Sequence, residues 1–158
     1  MSNTLLEILF ILILILINGF FAMSEIALVS ARKTRLEQHA AEGDKGSKIA
    51  LELTHSTSKL LSSVQVGITL VGVLTGAIGG ATLAERLTTV LVKVKWLEPY
   101  AATLSLVVVV LLTTYLSLVI GELVPKRLAL ANPEGIARAM AGPMNRLATL
   151  ASPAIRLL

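Results

Sequence analysis

Three long apolar segments dominate the pattern of the chain. They cover residues 8–31, 60–84 and 99–121, and the only charged residue within them is Glu25. The hydrocarbon core of a bilayer is about 30 Å thick and needs about 20 helical residues to cross it. An isolated strand would leave its backbone groups without hydrogen bonds in lipid. The pattern therefore predicts three membrane-spanning helices, at about residues 5–30, 60–84 and 99–122.

The polar connection between the first two spans, residues 31–59, has the pattern of a helical hairpin. Gly43 is placed to end a first helix, and Asp44 is placed to cap a second helix that runs toward Leu53. His39 and His55 lie in this connection without ligand partners at metal-site spacing. We interpret both histidines as solvated or interface residues.

An amphipathic helix is predicted after the third span, over residues 132–158. Asn132 is a capping residue, Pro133 suits the first helical turn, and Glu134 lies at the positive end of the helix dipole. Two prolines are expected to kink this helix. They are Pro143 and Pro153, and the predicted apolar face consists of Ile136, Met140, Met144 and Leu147. Such a helix suits the inner membrane surface or packing beneath the spans. The expected fold is thus an all-α membrane protein with three spans, a cytoplasmic-side hairpin and a juxtamembrane helix.

Composition supports a membrane protein. Of 158 residues, 54% are hydrophobic and 15% charged, against about 25% charged in an ordinary soluble domain. The absence of cysteine excludes a disulfide framework and thiolate metal sites. No usable set of nucleophile, base and orienting acid is apparent, so we do not expect an enzyme.

The basic residues predict the orientation. Six lie in 31–59 and five follow residue 125, but only three lie between the second and third spans. Because cytoplasmic loops collect Lys and Arg, we expect the N-terminus outside and the C-terminus in the cytoplasm, in a cell (inner) membrane. The formal charge of +4 then indicates membrane lipid headgroups rather than nucleic acid as partners.

The strongest candidate for chemistry is Glu122, a carboxylate at the inner end of the third span. Pro125 follows it and cannot donate a hydrogen bond to the carbonyl of Gly121, four residues earlier. A freed carbonyl oxygen beside a carboxylate is half of a site for a hard cation, which prefers oxygen ligands. Alternatively, Glu122 only pairs with Lys126 one helical turn later. Spacing alone leaves both interpretations open.

Polar residues also interrupt the first two spans. Asn18, Ser24 and Glu25 lie in the first, and Gln65 and Thr69 lie four residues apart in the second. Serine in a spanning helix usually bonds back to its own helix, and Glu25 is close enough to the boundary to serve at the interface. Interhelical hydrogen bonding is the commoner use of Gln65 and Thr69. With the predicted topology, however, Ser24, Gln65, Thr69 and Glu122 lie at one depth, which favours a cation site between the helices.

Three glycines recur at four-residue intervals in the second span. Gly72, Gly76 and Gly80 form two overlapping GxxxG patterns, which permit close helix packing within the protomer or across a dimer.

Three strings of residues resemble a known family. They are NGFFAMSEIAL at 18–28, SVQVGITL at 63–70 and GELVPK at 121–126, and together they are similar to the transmembrane domain of the CorC/CNNM family. The resemblance implies a homodimer that exports Mg²⁺, coupled to Na⁺ entry, with Ser24 and Glu122 as ion ligands. It also implies a following cytoplasmic CBS-pair domain that binds an adenine nucleotide such as ATP. Many members have asparagine where this chain has Ile68, so Thr69, Gln65, a backbone carbonyl or water would replace that ligand.

The leading hypothesis is therefore Mg²⁺ transport, with an ion held between the three helices. Its metal ligands would be Ser24, Glu122, Gly121, Thr69 and Gln65, supported by Asn18, Glu25, Pro125 and Lys126. The rival hypothesis is a dimeric membrane anchor or Mg²⁺ sensor that moves no ion. Under the rival hypothesis, Glu122 and Lys126 form a structural pair.

Overall fold

The computed structural model describes the backbone of residues 2–155 and the side chains of residues 4–149 apart from 57 and 59. The last three residues of the predicted juxtamembrane helix, 156–158, lie outside the described residues. The described part of the chain is helical and contains no strand, which confirms the all-α fold class.

Eight α-helices follow one another along the described chain. Their bounds are α1 Ser2–Ser30, α2 Lys33–Ala41, α3 Lys45–His55, α4 Thr57–Ile78, α5 Ala84–Leu91, α6 Ala101–Leu118, α7 Val124–Ala131 and α8 Pro133–Ile155. A first π turn, Gly79–Leu83, joins α4 to α5, and a second π turn, Val119–Leu123, joins α6 to α7. A short 3₁₀ turn, Glu98–Tyr100, precedes α6.

Three helical stretches are long and apolar enough to cross a membrane. They are Thr4–Ser30, Leu60–Leu91 and Glu98–Ala131. The second and third are longer than the segments predicted from hydropathy, because both helices continue through a π turn into a more polar helix. Most of their large apolar side chains face outward, as expected where lipid rather than protein covers a helix.

The first span lies at the centre of the bundle. Helix α1 packs against α4 on one side and against the second π turn and α7 on another, while α5 packs against α6. We call the end where α2, α3 and α8 gather the hairpin end, and the end with the start of α1 the far end.

The hairpin forms as the sequence predicts. Gly43 adopts a φ of 95°, which ends α2 in a tight turn. Asp44 then caps α3, since its carboxylate accepts hydrogen bonds from the backbone N–H of Ser47 at 2.7 Å and from the Ser47 hydroxyl at 2.6 Å.

Helix α8 buries a face that differs in part from the predicted one. The helix is continuous through Pro143 and Pro153. Its buried face consists of Ala137, Ala141, Met144 and Ala148, whereas Leu147, which was predicted to be on that face, is 37% exposed. Small residues let α8 lie close to α3, because the backbone of Gly46 meets the backbone of Arg138 there. The core at the hairpin end contains Ala27, Leu28, Leu36, Ala50, Leu53, Leu60, Val64, Ala129, Ala137, Ala141 and Met144.

Candidate functional site

The second π turn carries Gly121 and Glu122 in the third span. Pro125 cannot donate to the carbonyl of Gly121, and the helix widens at Val119–Leu123 instead of ending. The freed carbonyl oxygen accepts a hydrogen bond from the side-chain amide of Asn18 in α1, with an Nδ2–O distance of 3.1 Å. The carbonyl that Pro125 leaves without a helical hydrogen bond therefore accepts one from a side chain of another span.

Glycines bring α1 and the second π turn into contact. A Cβ atom at Gly19 would lie 3.0 Å from Cγ of Pro125 and 3.2 Å from the carbonyl oxygen of Ile120. A Cβ atom at Gly121 would lie 3.2 Å from both Nδ2 of Asn18 and the carbonyl oxygen of Ile15. A Cβ atom at either position would push its neighbours away by a few tenths of an ångström, so the two glycines favour the close approach that places Asn18 at the third span.

The remaining polar atom of Asn18 has no protein partner. Because the Gly121 carbonyl can only accept, the amide nitrogen of Asn18 must face it, and Oδ1 must point away. Oδ1 is buried and has no hydrogen-bond partner among the described residues. Buried polar atoms are usually paired, so this oxygen is an acceptor available to a ligand or water.

Ser24 is fully buried, and its hydroxyl donates to the carbonyl of Phe20 at 2.7 Å. This is the back-bonding common for serine in spanning helices. The bond uses the hydroxyl proton and leaves lone pairs on Oγ.

Glu122 forms an ion pair with Lys126. The distance from Oε1 to Nζ is 2.6 Å, and the Glu122 side chain is 44% exposed. This ion pair is the contact expected if Glu122 has only a structural role. The Glu122 carboxylate is nevertheless adjacent in sequence to the carbonyl of Gly121, which lacks its helical partner.

The polar residues of the second span lie elsewhere. Gln65 and Thr69 are exposed on α4. Gln65 lines a shallow depression of about 450 Å³ together with Glu25 and Ser62, and it lines a neighbouring one together with Thr69. Helix α1 packs against both α4 and the second π turn, and those two make little contact with each other. The structure thus joins Asn18 to Gly121 and groups Glu25 with Gln65, but does not bring Gln65 or Thr69 to Glu122.

The glycines predicted for helix packing divide into two kinds. A Cβ atom at Gly80 would lie 3.8 Å from Leu106 of α6, so Gly80 packs within the protomer. Gly72 and Gly76 are exposed, and a Cβ atom at either would meet nothing within 4 Å. Their predicted packing role therefore has no partner within the described protomer.

Two ion pairs between helices were not anticipated from the sequence. At the hairpin end, Nε of Arg138 in α8 lies 2.9 Å from the Asp44 carboxylate. Hydrogen bonds from the Ser47 hydroxyl and backbone N–H, then from Arg138, lower the pKa of Asp44 from 3.8 to about 2. At the far end, Arg86 pairs with Glu7. These partners are 94 and 79 residues apart in sequence, and only charge complementarity hints at either pairing.

Comparison with known proteins decides the family. The sequence pattern of the cyclin M (CNNM) transmembrane N-terminal domain matches residues 9–158, nearly the whole chain. The chain belongs to the CNNM transmembrane-domain family. This confirms the resemblance drawn from the three strings, and together with the three apolar helices it indicates a multi-pass membrane protein.

Relatives in several bacteria share this domain. The UPF0053 protein sll0260 of Synechocystis sp. is 52% identical over 157 residues, covering 99% of this chain and 35% of its own length. The UPF0053 protein YhdP of Bacillus subtilis is 30% identical over 152 residues, covering 96% of this chain and 34% of its own. The polyamine export protein of Haemophilus influenzae is 32% identical over 141 residues, covering 87% of this chain and 32% of its own length. The chain therefore spans about a third of the length of these relatives.

Proposed function

We propose that this CNNM domain exports Mg²⁺ from the cytoplasm, driven by Na⁺ entry. The observation that carries the proposal is the junction of α1 with the second π turn. There, the amide nitrogen of Asn18 donates to the carbonyl of Gly121, its buried oxygen has no partner among the described residues, and the carboxylate of Glu122 follows Gly121 in the chain. A cation is the ligand that such oxygens attract.

The donor set suits a hard cation. Mg²⁺ takes oxygen ligands, keeps several waters, and commonly binds through one or two carboxylates. Within the described residues, no group of three or more His, Cys, Asp or Glu could form a dedicated metal cage. A site with one carboxylate, Glu122, and neutral oxygens is consistent with an ion that passes through rather than stays. Ser24 would contribute through the lone pairs of Oγ, after a small movement of α1.

The same proposal includes an orientation and an assembly. The hairpin end faces the cytoplasm of a cell (inner) membrane, so that the ion enters at that end, and downhill Na⁺ entry supplies about 2.3 kcal/mol per charge for each 100 mV. Two copies form a homodimer through the exposed face of α4. A dimer partner there would shield Gln65, Thr69, Gly72 and Gly76 from lipid. A cytoplasmic CBS-pair domain that binds ATP follows in the full-length protein.

The rival function is a dimeric anchor or Mg²⁺ sensor without transport. The 2.6 Å ion pair between Glu122 and Lys126 favours it, because a carboxylate neutralised by its own helix needs no metal. The Haemophilus relative, named for polyamine export, raises an alternative substrate, since a polyamine is also a cation that a carboxylate attracts.

The test compares three single variants of the full-length protein in liposomes. We expect Glu122→Gln to abolish Mg²⁺ binding and export, because it removes the ligand charge. Lys126→Gln should keep or strengthen Mg²⁺ binding, because it releases the carboxylate. Glu37→Gln, at an exposed position of α2, is the control and should behave like the wild type.

The outcomes separate the hypotheses. If Glu122→Gln and Lys126→Gln have the same effect on stability and neither changes Mg²⁺ flux, the pair is structural and the anchor hypothesis holds. If wild-type vesicles move spermidine but not Mg²⁺, the substrate is a polyamine. An export rate that does not depend on a Na⁺ gradient would contradict the coupling.

A further inference from the structure

At the far end of the bundle, an ion pair joins two spans. Arg86 donates from Nε to Glu7 Oε2 at 2.9 Å and from Nη2 to Glu7 Oε1 at 2.8 Å. Its third nitrogen, Nη1, donates to the hydroxyl of Thr4 at 2.6 Å. A bidentate guanidinium–carboxylate pair is strong and directional, so it holds the start of α1 in one position against α5.

The location of this pair distinguishes it from the other pair in the spans. Glu7 is 22% and Arg86 40% exposed at the side chain, and the pair joins two different spans. Glu122 and Lys126 lie four residues apart on one helix, so their pair ties no helices together. At the far end, a polar side-chain interaction therefore connects α1 to the second span. Nearer the hairpin end, Gln65 and Thr69 of the second span are exposed.

A polar cavity and a π turn accompany the pair. The cavity has a volume of about 380 Å³ and is lined by Glu7, Thr82, Glu85, Arg86 and Thr89. The first π turn, Gly79–Leu83, lies immediately before α5 in the chain. Such turns inside helices are often found at functional sites, and this one precedes Arg86 in the second span by a few residues.

We propose that the Glu7–Arg86 pair is a latch that holds the far end closed and must open before a cation leaves there. The inference rests on the proposed function, since only a transporter needs this end to open. Movement of α5 about the first π turn would separate the guanidinium from the carboxylate. A cation that reached the cavity would compete with Arg86 for the charge of Glu7 and so favour the open state.

Site-directed labelling tests the latch without requiring transport. The chain contains no cysteine, so a single Thr82→Cys change places one thiol in the cavity wall. We expect Glu7→Gln or Arg86→Gln, added to this variant, to raise the rate at which a membrane-impermeant maleimide modifies the thiol by about tenfold, equal to about 1.4 kcal/mol of lost pairing. The exchange Glu7→Arg with Arg86→Glu should restore slow labelling. Glu85→Gln, a cavity residue outside the pair, is the matched control and should leave the rate within about twofold.

A second arm measures turnover. Cysteines at positions 7 and 86, joined by a short bis-maleimide, should stop Mg²⁺ export while Mg²⁺ binding from the hairpin end persists. Undiminished export after cross-linking, or unchanged labelling in both Glu7→Gln and Arg86→Gln, would overturn the latch. Absence of Mg²⁺ binding and flux in the unmodified wild type would instead refute the proposed function, and the labelling rates distinguish the two failures.

Discussion

Asn18 shows how one side chain connects the chemistry of two spans. Its amide satisfies the carbonyl that Pro125 leaves without a helical partner, and its own oxygen remains without one. The sequence identifies Asn18 as a polar residue that interrupts the first span, but not as the partner of Gly121. That pairing depends on how α1 is rotated about its own axis. Because apolar residues lie on all sides of this helix, their pattern does not specify the rotation.

At Asn18, we expect replacement by leucine to lower the free energy of unfolding by about 1–3 kcal/mol, because the Gly121 carbonyl would lose its partner in a buried place. Thr114→Leu on the exposed face of α6 is the matched control and should change stability by less than about 0.5 kcal/mol. Denaturation of the purified protein in detergent, followed by circular dichroism, measures both changes. Equal stability of Asn18→Leu and the wild type would mean that the hydrogen bond contributes nothing.

Asp44 has the clearest expected dependence on pH. Its pKa falls from 3.8 to about 2 in the folded protein, so the folded state favours the ionised carboxyl. The resulting stability is fully present above about pH 4 and is lost as the pH falls toward 2. In thermal unfolding, we expect wild type to exceed Asp44→Asn in Tm by a constant amount from pH 7 to 5. That difference should shrink steadily from pH 4 to 2, and a difference that stayed constant to pH 2 would contradict the assignment.

At the scale of the elements, the two π turns decide the shape of the second and third spans. Hydropathy predicts spans that end near residues 84 and 122, but each helix continues for about two further turns beyond its π turn. Pro125 accounts for the second π turn, since it removes one helical hydrogen bond. Nothing comparable is apparent in the first π turn, where Gly79 and Gly80 only make the backbone more permissive.

The contact of α3 with α8 gives a prediction for the hairpin. A Cβ atom at Gly46 would lie 2.5 Å from the backbone oxygen of Arg138, so alanine there forces the two helices apart. We expect Gly46→Ala to destabilise the protein by about 1–3 kcal/mol and to increase hydrogen exchange in α3. Gly142→Ala in α8, where a Cβ atom meets nothing within 4 Å, should be neutral or stabilising by up to about 1 kcal/mol. Reversal of this order would show that the contact is looser than the structure indicates.

The whole molecule exposes a polar and glycine-lined face on α4 at the depth of the membrane. Since Gly72 and Gly76 have open space in front of them, we expect Gly76→Leu to leave the protomer folded and to convert the proposed homodimer to monomers. Gly80→Leu, which meets Leu106 within the protomer, should instead destabilise the fold. Light scattering in detergent measures the oligomeric state, and circular dichroism measures the fold. A Gly76→Leu protein that remained fully dimeric would move the interface to another face.

The sequence by itself determined the fold class, the three apolar spans, the capped hairpin and the family. These follow from local properties: hydropathy summed over some 20 residues, capping preferences within one turn, and the short NGFFAMSEIAL and GELVPK strings. It also singled out Gly121 and Glu122, because the effect of a proline on the carbonyl four residues earlier is local.

Only the tertiary structure decided which polar groups meet. It joined Asn18 to Gly121, Asp44 to Arg138 and Arg86 to Glu7, and it left Gln65 and Thr69 exposed on α4, which makes little contact with the second π turn. Depth in the membrane can be counted along a chain at about 1.5 Å per residue, which is why residues at one level were expected to converge. The rotation of each helix about its axis and the choice of its neighbour depend on small residues and on side-chain shape across distant parts of the chain, so they emerge only when the helices pack.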